Sequence, residues 1–269
     1  MGESNARMRI APWLVAAVVL LVWPAGSSGQ VSSPGVTPGP FIPGRVVAPI
    51  PPNPEAAAPE DLTGYWVSLV TEDWRYRMLT APVGDFQAVP LSEAGKKLAE
   101  AWNPAADEAS GNQCKAYGAA GLMRMPGRLH ITWADPSTLR IDFDAGTQTR
   151  LFHFDGKPPA AGPPEWQGYT AANWVLLGNG REAPQGGYLK AETTRMKPGY
   201  LRKNGVPYSA TATMTEYFTR TTEPSGVSYL FVTTVVLDPV YLSSPFVTST
   251  HFKKLADDSG WRPTPCKAR

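Results

Sequence analysis

Glu216 is the residue whose setting in this sequence most invites chemistry. In Met214-Thr215-Glu216-Tyr217-Phe218, a period of two places its carboxylate between Met214 and Phe218 on one face of a strand. A carboxylate inside an apolar stripe has two outcomes. Either it pairs with a cation, for which Arg220 and Arg202 are the candidates, or it is desolvated in a pocket, where its pKa rises and it becomes a binding or acid–base group. A second cluster is Trp74-Arg75-Tyr76-Arg77, in which arginines alternate with aromatic rings. Arg75 beside Trp74 can hold an anion or an aromatic ligand, and the same arginines can pair at the surface with Glu72 or Asp73.

The three histidines, His130, His153 and His251, form neither an H-x-H nor an H-x-x-x-H pair, so no metal site is expected. His130 is placed to face Asp142 across a hairpin, as a carboxylate-oriented base or as a plain polar pair on the wetter face of a ribbon. Asp142-Phe-Asp144-Ala-Gly146 has the start of a calcium loop, but its glycine comes one position early and no glutamate stands at the twelfth position. No G-x-S-x-G elbow, P-loop or dinucleotide fingerprint occurs, and no cofactor is expected.

The elements that must position these residues are mostly strands. Arg128–Trp133 and Thr138–Phe143 flank the turn Ala134-Asp135-Pro136-Ser137. Setting Ile131 opposite Ile141 also sets Leu129 opposite Phe143 and Trp133 opposite Leu139 on one face. On the other face Arg128 meets Asp144 and His130 meets Asp142. Further strands are expected at 63–70, 74–79, 147–154, 173–177, 187–194, 211–220, 227–237 and 245–254. One clear helix follows Ser92, which can cap it, and ends at Asn103-Pro104, with a second helical turn over 105–110. About ten strands and one or two short helices predict a single antiparallel β-barrel, with a β-sandwich as the alternative.

The N-terminal stretch has Arg7 and Arg9 ahead of an eleven-residue apolar run, Trp13–Trp23, and then small residues up to Gly29. It reads as a signal peptide over residues 1–29, because a membrane span needs roughly 20 apolar residues. The mature chain would carry no transmembrane segment and would be periplasmic or secreted. Removing Arg7, Arg9 and Glu3 from 25 basic and 23 acidic residues leaves 23 − 22 = +1, which gives no reason to expect a nucleic-acid partner. Nine prolines between Val31 and Pro59 predict a disordered linker over residues 30–59, leaving 60–269 as the β-domain. Cys114 and Cys266 are the two cysteines, and an oxidising compartment predicts that they form a disulfide.

Gly64-Tyr65-Trp66, on the first strand after the prolines, resembles the Gly-x-Trp of lipocalin-like (calycin) proteins. The resemblance implies a Trp that closes the barrel floor, although the late strand here carries Lys253 and Lys254 where those proteins place an arginine. The motifs Met125–Trp133, Glu165–Trp174, Leu201–Phe218 and Leu237–Val247, in this order, resemble a large family of exported bacterial β-rich proteins. That resemblance implies an exported β-rich fold and no reaction. It also implies histidine at the positions of Tyr169 and Tyr208, so histidine chemistry there would be absent from this chain. Glu216, Tyr208, Tyr169, Arg75 and Trp74 are thus the candidate ligand-binding residues. The expected function is binding of a small hydrophobic or aromatic ligand in the barrel, given nine Trp, ten Tyr and nine Phe. The alternatives are a cofactor-independent hydrolase or isomerase and a cell-envelope interaction module.

Overall fold

The computed structural model describes residues 45–47, 51–157, 162–178 and 186–269. The expected signal peptide and much of the proline-rich stretch lie outside these residues. The described residues hold twelve strands: β1 (Arg45–Val47), β2 (Gly64–Leu69), β3 (Arg128–Asp135), β4 (Thr138–Phe143), β5 (Gln148–His153), β6 (Tyr169–Leu177), β7 (Gly187–Thr194), β8 (Gly199–Arg202), β9 (Val206–Tyr208), β10 (Thr213–Thr222), β11 (Ser228–Leu237) and β12 (Phe246–Lys254). Four short helices accompany them: α1 (Trp74–Met78), α2 (Glu93–Glu100), α3 (Pro104–Ala109) and α4 (Ala119–Leu122).

Nine strands close into a barrel in the order β6-β5-β4-β3-β2-β12-β11-β10-β7, with β7 returning to β6. An odd number of strands cannot all run alternately around a closed ring, so one neighbouring pair must be parallel. That pair is β5–β6, which touch only at Phe152↔Thr170 and His153↔Ala171. The connection over 154–168 has the length that a parallel crossover requires. Elsewhere the barrel is antiparallel. The β3–β4 ribbon has the expected register, with Leu129↔Phe143 and Ile131↔Ile141 buried and Trp133↔Leu139 joining a half-buried ring to a buried leucine. Arg128 lies 3.7 Å from Asp144, as expected.

Alternate residues along each strand point inward and fill the barrel. Phe152 and Phe218 meet edge to face with centroids 5.5 Å apart, and Ile131, Ile141, Leu189, Leu230 and Val232 surround them, all buried. One end of the barrel, where β10 and β12 begin and β11 finishes, is covered by α2, α4 and the β8–β9 hairpin. These form a second core with Met214, Val236 and Phe246. Ser92 accepts a hydrogen bond from the Gly95 amide and caps α2 as expected. Cys114 and Cys266 form the expected disulfide and hold the C-terminal tail to this end.

The opposite end differs from what the prolines predict. Instead of continuing as a linker, residues 51–62 lie across the barrel mouth. The Trp174 indole donates to the Pro54 carbonyl at 2.9 Å, the Glu55 amide donates to Pro136, and the Arg220 amide donates to Glu60. Pro54 and Leu62 are buried, and β1 adds to the free half of β6. Trp66 lies fully buried at this end, donating to the Leu62 carbonyl at 2.9 Å, with the Lys254 ammonium 5.4 Å above its ring. A lysine thus stands over the Trp where the lipocalin pattern has arginine.

Residues 74–79 are also not a strand, because α1 occupies them. Asp73 turns the chain in a left-handed conformation (φ 49°), and Arg77 is buried on the helix's inner face. Five alternating residues fit either period, and these tertiary contacts decide.

Candidate functional site

The barrel interior has a polar centre. Arg150 on β5 and Glu216 on β10 form a two-pronged ion pair, Nη2–Oε2 at 2.6 Å and Nη1–Oε1 at 3.1 Å, and neither side chain is exposed. Arg150 Nη2 also donates to Thr193 Oγ1, which shares a hydrogen bond with Thr170 Oγ1. The guanidinium packs against Phe152 at 4.8 Å. The barrel thus encloses a charge pair packed in aromatic side chains, and its interior is occupied by the protein itself.

At the capped end a cleft of about 280 Å3 opens between α2, α3 and the β8–β9 hairpin. Its walls include Leu98, Trp102, Tyr200, Pro207, Tyr208 and Tyr241. Local sequence builds it. Asn103 caps α3 by accepting from the Ala106 amide, and Pro104 at the first helical position turns the chain sharply after Trp102. The Trp102 ring packs on Gly205, which takes φ 81° in the β8–β9 turn and leaves no room for a Cβ there.

The polar groups of the cleft fall into two sets. Asp107 on α3 accepts from Tyr200 Oη at 2.7 Å and from Lys115 Nζ at 2.5 Å. Burial, and then the hydrogen bond and charge of Asp107, push the Tyr200 hydroxyl well above the usual phenol range. Tyr208 is buried, and burial pushes its hydroxyl up as well, opposed only weakly by the charge of Arg150 beneath. A Cβ at Gly199 would come within 2.7 Å of that hydroxyl. Among the described residues neither Tyr208 Oη nor Trp102 Nε1 has a hydrogen-bond partner. Both are neutral donors near neutral pH, and neither atom is exposed to the open space of the cleft.

The residues nominated from sequence are not brought together. Glu216 is buried but paired, with Arg150 in place of the expected Arg220 or Arg202. Arg220 instead binds Asp61 and Ser228, while Arg202 donates to the Gln87 carbonyl. Tyr208 borders the cleft. Tyr169 lies outside the barrel, stacked on His153 at 5.0 Å and donating to the Lys157 carbonyl. Trp74 is exposed on α1, and Arg75 beside it pairs with Asp85 at 2.8 Å. His130 faces Asp142 as expected, yet its ring stacks on Tyr65 at 3.9 Å while Arg140 takes the carboxylate.

Sequence reasoning missed Arg150, Trp102, Asp107 and Tyr200. Trp102 had the clearest signal, since it ends an amphipathic helix directly before an Asn-Pro break. Arg150 gave a weaker one, a lone cation at an inward position of Gln148-Thr-Arg150-Leu-Phe152. Among the described residues no His, Cys, Asp and Glu group could hold a metal ion, and no helix is long and apolar enough to cross a membrane. Compared with protein-family models, curated proteins and solved structures, the chain matches none.

Proposed function

We propose that this is an exported binding protein whose small ligand sits in the cleft at the capped end of the barrel. The observation that carries the reading is the open cleft itself, walled by Leu98, Trp102, Tyr200, Pro207, Tyr208 and Tyr241 with Lys115 among its lining residues. The cleft, at about 280 Å3, lies at the small end of the range for small-molecule sites. Aromatic walls and the Lys115 ammonium at the rim suit a monocyclic aromatic ring bearing a carboxylate or carbonyl. The Cys114–Cys266 disulfide supports an oxidising compartment and hence export, in keeping with the exported family that the motif order resembles.

The test is a thermal-shift titration with monocyclic aromatic acids and amides on three proteins: wild type, Lys115→Met, and Ala101→Trp, which fills the cleft. Binding by wild type that both substitutions weaken at least tenfold supports the reading. A panel that shifts none of the three, or shifts all three alike, overturns it.

A second reading, a docking module for a partner protein, is favoured by α1 and its following turn. Trp74, Met78, Leu79 and Val83 are all exposed there, at 61, 57, 59 and 49 %. The enzyme alternative has no such support, because Glu216 is held by Arg150 and His130 by its stack on Tyr65.

A further inference from the structure

A setting for chemistry apart from Glu216 and His130, and apart from the cleft, lies on the outer wall of the barrel. Ser249 and His251 are alternate residues of β12 and point away from the core, since Phe246, Thr250 and Phe252 are the buried side chains of that strand. The Ser249 hydroxyl lies 3.3 Å from His251 Nε2. On the other side of the ring, His251 Nδ1 lies 3.1 Å from Thr71 Oγ1 and 3.5 Å from Glu72 Oε2. Thr71 and Glu72 come from the turn after β2, brought here because Leu69 near its end pairs with His251.

The hydrogen bonds give this row of side chains a direction. Thr71 donates its hydroxyl proton to Glu72 Oε2 at 2.8 Å, so its oxygen accepts from the His251 Nδ1–H. A neutral imidazole with its proton on Nδ1 presents Nε2 as an acceptor, and that acceptor faces the Ser249 hydroxyl. Glu72 is held from behind by the buried Arg77, which binds Oε1. Hydroxyl, imidazole and carboxylate in this order form the arrangement that activates a serine nucleophile, and geometry rather than fold identifies it. Such contacts are commonly loose without substrate and tighten when it binds.

Neighbours on the same face make a seat for an ester. The β11–β12 register puts Phe231 opposite His251, Thr233 opposite Ser249 and Val235 opposite Val247. Phe231 meets the His251 ring edge to face at 5.0 Å, and Phe231 and Val247 are exposed. Apolar surface thus brackets Ser249, and the Thr233 hydroxyl, on a Cβ about 5 Å across the ladder, can donate to a carbonyl oxygen held there.

We propose that Ser249 is the nucleophile of an esterase site for aryl esters of short fatty acids, with His251 as general base and Thr71 and Glu72 as positioning residues. Ser249 Oγ bonds to the carbonyl carbon as its proton passes to His251 Nε2. The bond to the phenol oxygen breaks, and the phenol leaves with that proton. A water molecule then gives a proton to Nε2 and attacks the acyl carbon. The bond to Oγ breaks, Oγ takes the proton back, and the carboxylic acid departs. A phenol is the leaving group that suits a site with one hydroxyl to stabilise the oxyanion.

The experiment treats the wild-type chain with a fluorophosphonate probe and, separately, with p-nitrophenyl butyrate. Expected are phosphonylation of Ser249, read by peptide mass mapping, and ester hydrolysis that Ser249→Ala and His251→Gln each lower by at least about tenfold. Thr71→Val should slow the labelling and Thr71→Ser restore it. Ser249 and His251 are only half-buried, so both variants should fold, which their Tm checks. An unlabelled Ser249, labelling that survives His251→Gln, or a Ser249→Ala variant with the wild-type rate overturns the proposal.

Discussion

Arg150 and Glu216 stand 66 positions apart in the chain and meet inside the closed barrel, with two nitrogen–oxygen contacts of 2.6 and 3.1 Å and no solvent at either side chain. Removing one partner strands the other charge in an apolar interior. Glu216→Leu or Arg150→Met alone is therefore expected to lower unfolding free energy by about 3–5 kcal/mol. The double variant should regain most of that loss, because two apolar side chains replace the pair at similar volume. Denaturant midpoints of the three variants check this, and a double variant no better than the singles contradicts it.

Glu60 gives the molecule a pH dependence. Burial raises its pKa from 4.5 to about 7, outweighing the hydrogen bond from the Arg220 amide and the Arg220 charge. A carboxyl whose pKa is higher in the folded state favours folding when protonated. Its contribution is fully present below pH 4.5 and is lost as pH rises to about 7. Glu60→Gln should therefore flatten the stability profile between those limits. Since the group is partly solvated, the gain at pH 8 should be about 1–2 kcal/mol, less than the full shift implies. Tm measured from pH 4 to 8 for both proteins tests the sign.

The disulfide between Cys114 and Cys266 closes a loop of 152 positions. Replacing both cysteines with alanine should cost roughly 4–5 kcal/mol through the freed unfolded chain. It should also expose the tail after residue 260 to protease. Limited proteolysis with and without reductant reads the second effect directly.

The segment 51–59 behaves as part of the fold. A chain starting at Glu60 lacks the Pro54 carbonyl that accepts the Trp174 indole, and it should be less stable than one starting at Pro51 by about 1–3 kcal/mol. Equal melting temperatures for the two would mean that the segment contributes nothing to closing the barrel end.

Much of the scaffold was legible in the sequence. The alternation Leu129, Ile131, Trp133 against Leu139, Ile141, Phe143 admits one register that buries one face, and the ribbon adopts it. Ser92 before an amphipathic run, with Asn-Pro after it, marked α2 with its cap. The site was less legible. Tyr208 and Tyr169 come from different walls of the barrel, and only the direction of each side chain separates the cleft from the outer surface. Trp74-Arg75-Tyr76-Arg77 reads as a strand by period. It forms a helix because Arg77 is drawn inward by Glu72, Ser68 and the Arg124 carbonyl.

By itself the sequence determined what depends on neighbours along the chain: the strand periods, the turns, the capped helix and the β-barrel class. Tertiary structure alone decided which distant groups meet. It chose Arg150 for Glu216, turned a proline-rich stretch into the stopper of one barrel end, filled the interior and left the open cleft at the other end. The physical reason is closure. Once nine strands join in a ring, inward side chains well over a hundred residues apart share one dry interior, and which of them become partners is fixed by stagger around the ring and not by spacing in the chain.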